Sequence, residues 1–143
     1  MQIKSLDTQF SIADAVYPQD LAAVKAAGFN SLICHRQPGE ADDHADAAQL
    51  AAAAEAAGLG WREIPVTPGE YTDEALASFK QAVAELPAPY LVFCRSGRRA
   101  ACMWALHHAC EVGGSCDDLL GKAQAAGHDL SDLAERMAQV QAR

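Results

Sequence analysis

PYLVFCRSGRRAACMWALHHACEVG, residues 89–113, is the stretch whose reading decides the fold. Tyr90-Leu91-Val92-Phe93 is a short apolar run of the kind a buried strand makes, and residues 99–112 turn helical and are apolar nearly all round. Between them lies Cys94-Arg95-Ser96-Gly97-Arg98-Arg99. A cysteine is therefore expected at the carboxyl end of a central strand, facing the N-terminus of a buried helix. Unpaired backbone N–H groups and the positive end of the helix dipole favour an anion there, and a thiolate nucleophile is such an anion. Gly97 permits the tight turn that points successive N–H groups inward. Arg98 and Arg99 add planar guanidinium groups, each able to hold two oxygens of an oxyanion. The residues thus predict Cys94 as nucleophile, with Arg95, Ser96, Gly97, Arg98 and Arg99 as its anion-binding loop.

Working outward, residues 2–6 and 10–13 read as two short strands, a candidate hairpin, before Pro18 opens a helix that carries Leu21 and Val24 and ends at Gly28. Residues 30–34 form a buried strand, 42–57 an alanine-rich helix stopped by Gly58, and 61–66 a further strand. Thr72 caps the next helix, which shows Leu76, Phe79, Val83 and Leu86 on one face. Downstream, Gly113-Gly114 ends the buried helix, Ser115 caps a short one closed by Gly127, and Ser131 or Asp129 caps a last helix striped with Leu130, Leu133, Met137 and Val140. Strands alternating with helices imply one α/β domain over 1–143, a mostly parallel central sheet with helices on both faces. Ligands in such sheets bind beyond the carboxyl ends of the strands.

Half of the 143 residues are hydrophobic, and 19 acidic against 11 basic side chains leave a net charge of -8. That balance argues against nucleic acid or an anionic membrane surface as partner. Five cysteines without framework spacing, and no apolar leader after the first residues, point to free thiols in the cytoplasm. No metal or cofactor is expected: His107 and His108 point about 100° apart on a helix, and no Cys-x2-Cys pair exists. Cys102 and Cys110 read as packing residues of the buried helix, with a resolving-thiol role as the alternative.

Three residues outside the loop are candidate site-lining groups. Arg36 and Glu40 follow a parallel strand at its carboxyl end, where a surface ion pair is the simpler reading. Asp73, or Glu70, is a candidate proton donor to a leaving oxygen, and a helix-start acid is also simply a cap.

At Cys94 the sequence resembles the cysteine-loop proteins shared by rhodanese sulfurtransferases and dual-specificity phosphatases. The opening Met-Gln-Ile-Lys, the segments Ile33-Cys34-His35-Arg36-Gln37-Pro38-Gly39-Glu40 and Ile64-Pro65-Val66-Thr67-Pro68-Gly69, the loop CRSGRRA and the tail Ala125-Ala126-Gly127-His128-Asp129-Leu130 are similar to the beta-lactamase-hydrolase-like family. The resemblance implies the fold of a small dual-specificity phosphatase. It also implies one of two activities, since members are described both as phosphatase-like and as sulfurtransferases and occur fused to persulfide dioxygenases.

Three departures bear on that choice. Phosphatases of this type carry the anion-holding arginine six residues after the cysteine, where this chain has Ala100; its arginine, Arg99, is at five. The histidine before the cysteine is Phe93, and the hydroxyl residue after the arginine is again Ala100. A shorter loop suits a cysteine persulfide better than a tetrahedral phosphate. The expected activity is accordingly sulfur transfer through a Cys94 persulfide, from thiosulfate or a low-molecular-weight persulfide to a thiol acceptor, with a persulfide dioxygenase as a further partner. The alternatives are a cysteine phosphatase working through phosphocysteine, and a non-catalytic anion- or partner-binding module.

Overall fold

The apolar run at 90–93 becomes β5 (Tyr90–Phe93), the middle strand of a five-stranded sheet in the computed structural model, which describes residues 1–39, 46–111 and 115–141. The other strands are β1 (Ile3–Ser5), β2 (Phe10–Ala13), β3 (Ser31–Cys34) and β4 (Gly60–Glu63), and the order across the sheet is β1-β2-β5-β3-β4. Only the β1–β2 hairpin is antiparallel. Phe93 lies level with Ala13 on one side and Cys34 on the other, so three strands end together at the residue before Cys94. That shared edge is where a parallel sheet leaves room for a ligand.

The pleat sends successive side chains of β5 to opposite faces. Leu91 and Phe93 face a core closed by α1 (Leu21–Ala26) and α2 (Ala47–Ala56), through Leu21, Val24, Leu50 and Ala54. Tyr90, Val92 and Cys94 face the larger core under α3 (Asp73–Glu85), α4 (Arg98–Glu111), α5 (Cys116–Ala125) and α6 (Ala134–Gln141). Every residue of α4 from Ala100 to Leu106 is buried, as its all-round apolar pattern demands. The stripe Leu130, Leu133, Met137 and Val140 is buried as well, docking the C-terminal helix against α4.

Several local expectations shift. Pro18 opens a 3-10 turn (Pro18–Asp20) that leads into α1, and β4 stops at Glu63 rather than running to Val66. Ser115 precedes α5 without a side-chain capping bond; Asp129 instead accepts the Ser131 N–H at 3.0 Å before the final turn and helix. Cys110 is exposed and not a packing residue, because the end of α4 emerges from the core. The expected helix start at 42–45 and the helix end at Gly113-Gly114 lie outside the described residues.

Candidate active site

The turn joining β5 to α4 is built around a sulfur. Cys94 hangs from the end of β5, its N–H 3.4 Å from the Ala13 carbonyl, and its Sγ accepts the Gly97 N–H at 3.1 Å. Gly97 takes φ +92°, a left-handed conformation that other residues adopt at a cost. A Cβ there would stand 3.1 Å from His128 Nε2, which would have to give way slightly, and at an ordinary 3.6 Å from the Ala13 carbonyl, so the conformation is what favours glycine. α4 begins one residue later. Cys94 is fully buried, with the exposed Arg95 and Ser96 passing over it.

Arg99 is buried too, and its Nη1 donates to the carbonyls of His35 (3.1 Å) and Val66 (3.0 Å). One guanidinium thus ties the first turn of α4 to the chain leaving β3 and to the chain leaving β4. His35 completes this knot: it is fully buried, its Nδ1 lies 2.9 Å from the Ile64 carbonyl, and its pKa is pushed down to about 4 by burial, with the Arg99 charge adding to the effect against the opposing pull of that carbonyl. A neutral ring makes Nδ1–H the donor.

Above the loop opens a pocket of about 450 Å³. Arg95, Ser96 and Arg99 supply one side of it, and Pro68, Gly69 and Tyr71, from the segment before α3, another. Arg98 and Cys102 of α4 line it as well, and Asp132, Leu133 and Arg136 close it from the C-terminal segment. Tyr71 and Cys102 are hydrogen-bonded side chain to side chain, and burial pushes both the phenol and the thiol above their ordinary pKa values. Arg98 grips both carboxylate oxygens of Asp132 (2.7 and 2.9 Å) and the Asp129 carbonyl (2.8 Å). Arg136 donates from Nε and Nη2 to the Tyr71 carbonyl (3.2 and 2.9 Å) and from Nη2 to Asp73 (2.8 Å).

The structure brings together six of the expected residues, Cys94, Arg95, Ser96, Gly97, Arg98 and Arg99. It keeps Arg36 and Asp73 apart from them. Arg36 is buried on the other side of the sheet's edge, 5.5 Å from the centre of the Phe93 ring and hydrogen-bonded to the Cys34 side chain, and it does not line the pocket. Asp73 is the first residue of α3 and pairs with Arg136, outside the pocket lining. Glu40 lies outside the described residues. Sequence reasoning missed the outer wall: Tyr71, Asp132 and Arg136, and His128 behind the loop. Asp132 and Arg136 sit on the polar sides of elements whose apolar stripe was legible, and nothing in the stripe says what the polar side faces. Among the described residues, no three His, Cys, Asp or Glu side chains gather to hold a metal, and no helix is long and apolar enough to cross a membrane.

A cysteine at the end of the middle strand, a helix starting four residues later and arginines around the turn are the features of a cysteine-loop phosphatase fold. The solved structures agree. A candidate phosphatase from Neisseria meningitidis superposes with a TM-score of 0.83 at 29% identity, covering 95% of this chain and 96% of that one. A candidate mouse dual specificity phosphatase complexed with zinc tungstate shares the fold with a TM-score of 0.65 at 18% identity, covering 98% of this chain and 86% of the mouse chain. Within that class the chain belongs to a particular family, that of the beta-lactamase hydrolase-like protein, phosphatase-like domain, whose model matches residues 2–111. The beta-lactamase hydrolase-like protein of Agrobacterium fabrum is 28% identical over 130 residues, which cover 91% of this chain and 30% of the relative, so the chain spans about a third of the length of that relative.

These findings overturn the expected rhodanese-like sulfur transfer. The family is phosphatase-like and the structural neighbours are phosphatase folds, which favours the phosphatase alternative and gives sulfur transfer no support. The physical reason lies in Arg99. Its Nη1 is bonded to the strand-end carbonyls, so its place five residues after Cys94 does not measure the size of the anion site. The sulfane-sulfur donor and the thiol acceptor belong to that chemistry, whereas the persulfide dioxygenase was expected from its fusion to members of the family.

Proposed function

We infer that this domain hydrolyses phosphate monoesters through a phosphocysteine on Cys94. The observation that carries the reading is the placement of the buried Cys94 sulfur within hydrogen-bond reach of the Gly97 N–H, in the turn whose Arg95, Ser96, Arg98 and Arg99 line a pocket at the start of α4. The phosphoryl oxygens take over the loop N–H groups, the Gly97 N–H among them, and Arg99 holds positive charge at the inner end of the pocket. Sγ then forms a bond to phosphorus as the P–O bond to the leaving group breaks and the electron pair departs on that oxygen. Water attacks the phosphocysteine in the second step, releasing phosphate and restoring the thiolate. Gly97 and Arg99 thus serve preorganisation, and Arg95, Ser96 and Arg98 shape the entrance.

Turnover of p-nitrophenyl phosphate by the wild-type chain, and its absence in Cys94→Ser, tests the reading. Acid quenching of the reaction followed by mass spectrometry should find one phosphoryl group on the peptide holding Cys94. Turnover that survives Cys94→Ser would sink the nucleophile, and phosphate binding without any turnover would favour a non-catalytic anion-binding role. We also place the domain in the cytoplasm, supported by five free cysteines, which suit a reducing compartment.

A further inference from the structure

We propose that the outer half of the pocket is a second anion subsite, built on Arg136 and Arg95, so that the substrates are small phosphate monoesters whose leaving part carries its own negative charge. The inference rests on the hydrolase reading above and names the class of ester that reading leaves open.

Four of the chain's 11 lysines and arginines line this one pocket, against a single lining carboxylate, in a chain of net charge -8. Placement matters more than the total. Arg99 is held at the inner end by the His35 and Val66 carbonyls, where it serves the reacting phosphate. Arg136 lines the same pocket, held by the carbonyl of Tyr71 in the segment before α3, and comes from α6, a different element from the loop. A carbonyl orients a guanidinium without cancelling its charge. Asp73 offsets part of that charge at 2.8 Å, but from outside the pocket lining. Arg98 is the cation matched within the lining, by both oxygens of Asp132. Arg95 is exposed on the loop itself.

Between the two ends, Pro68, Tyr71 and Leu133 give an apolar wall. The volume of about 450 Å³ is that of a small-molecule site and exceeds what one phosphoryl group fills. The matching ligand has a phosphate at the inner end, a short apolar body against Tyr71 and Leu133, and a carboxylate or a second phosphate at the outer end. An anionic leaving part would also leave already paired with a cation.

Three aryl esters of similar size test this: 3-carboxyphenyl phosphate, its neutral isostere 3-carbamoylphenyl phosphate, and 3-(aminomethyl)phenyl phosphate. The carboxylate should exceed the amide in kcat/KM by about tenfold at low salt, with the ammonium ester poorest, and the preference should shrink as ionic strength rises. Arg136→Gln and Arg95→Gln should each lower the carboxylate-to-amide ratio, and Arg136→Lys should keep part of it. Arg136→Gln also gives up contacts to Tyr71 and Asp73, so the Arg95→Gln ratio keeps the test open if that variant does not fold. A wild-type ratio near one, or a ratio unchanged in both Gln variants, overturns the subsite. Calorimetric binding of the same esters to Cys94→Ser separates the two failures: a carboxylate preference in binding with no wild-type turnover defeats the hydrolase reading alone, and turnover without preference defeats the subsite alone.

Discussion

The pocket has two sides of different origin. The inner side, built on the buried Cys94, Gly97 and Arg99, lies within the matched family residues 2–111; of the more exposed outer side, Asp132, Leu133 and Arg136 lie beyond them. Inside, polar groups are buried and tied to backbone: Arg99 to two carbonyls, His35 to one, and the Cys94 sulfur to the Gly97 N–H. Outside, the charged groups pair with one another near solvent, the Arg98 and Asp132 side chains being 40% and 73% exposed. Groups locked in a low-dielectric interior hold a fixed geometry, which chemistry needs, whereas exposed ion pairs exchange partners at small cost, which suits substrate selection.

Breaking the inner side should have the largest effects. Cys94→Ser should lower kcat on p-nitrophenyl phosphate by about 10⁴-fold or more, with an unchanged melting temperature. Equal losses from removing Arg136 would erase the division between the sides. Arg99→Met leaves the His35 and Val66 carbonyls without this donor, and the cost in denaturant-derived stability should be about 3 kcal/mol. A change below about 1 kcal/mol would show that the knot at the strand ends is not what holds α4 in place.

His35 gives the inner side a pH signature. Its folded pKa, about 4, is below the ordinary 6.5, so the unfolded chain binds the proton first as pH falls. Stability is then full above about 6.5 and is lost progressively down to about 4, by about 3 kcal/mol in all. Unfolding measured at several pH values should show this slope in wild type and lose it in His35→Gln. The outer side should respond least: Asp132→Asn should change stability by less than about 1 kcal/mol and leave p-nitrophenyl phosphate turnover within a few-fold. A large stability loss there would show that the Arg98–Asp132 pair is structural.

The inner side was legible in the sequence because its signals are local. An apolar run, a cysteine, a glycine and a helix of all-round apolarity lie within two dozen consecutive residues, and backbone rules convert them directly into strand, turn and buried helix. The same locality misplaces Arg99, because counting residues after Cys94 treats the side chain as part of the loop. Its actual acceptors, His35 and Val66, are 64 and 33 residues away in the chain.

By itself, then, the sequence determined the order of strands and helices, the mostly parallel sheet, and Cys94 at its carboxyl edge, since periodicity and turn residues act over a few neighbours. Only the tertiary structure decided where the long polar side chains go. Asp73 left the site to pair with Arg136, Arg36 crossed over Phe93, and Asp132 and Arg136 came in from the end of the chain. An arginine or aspartate spans several ångströms from its backbone and pairs with whatever group packing brings within reach, and packing against α4 joins residues more than sixty positions apart.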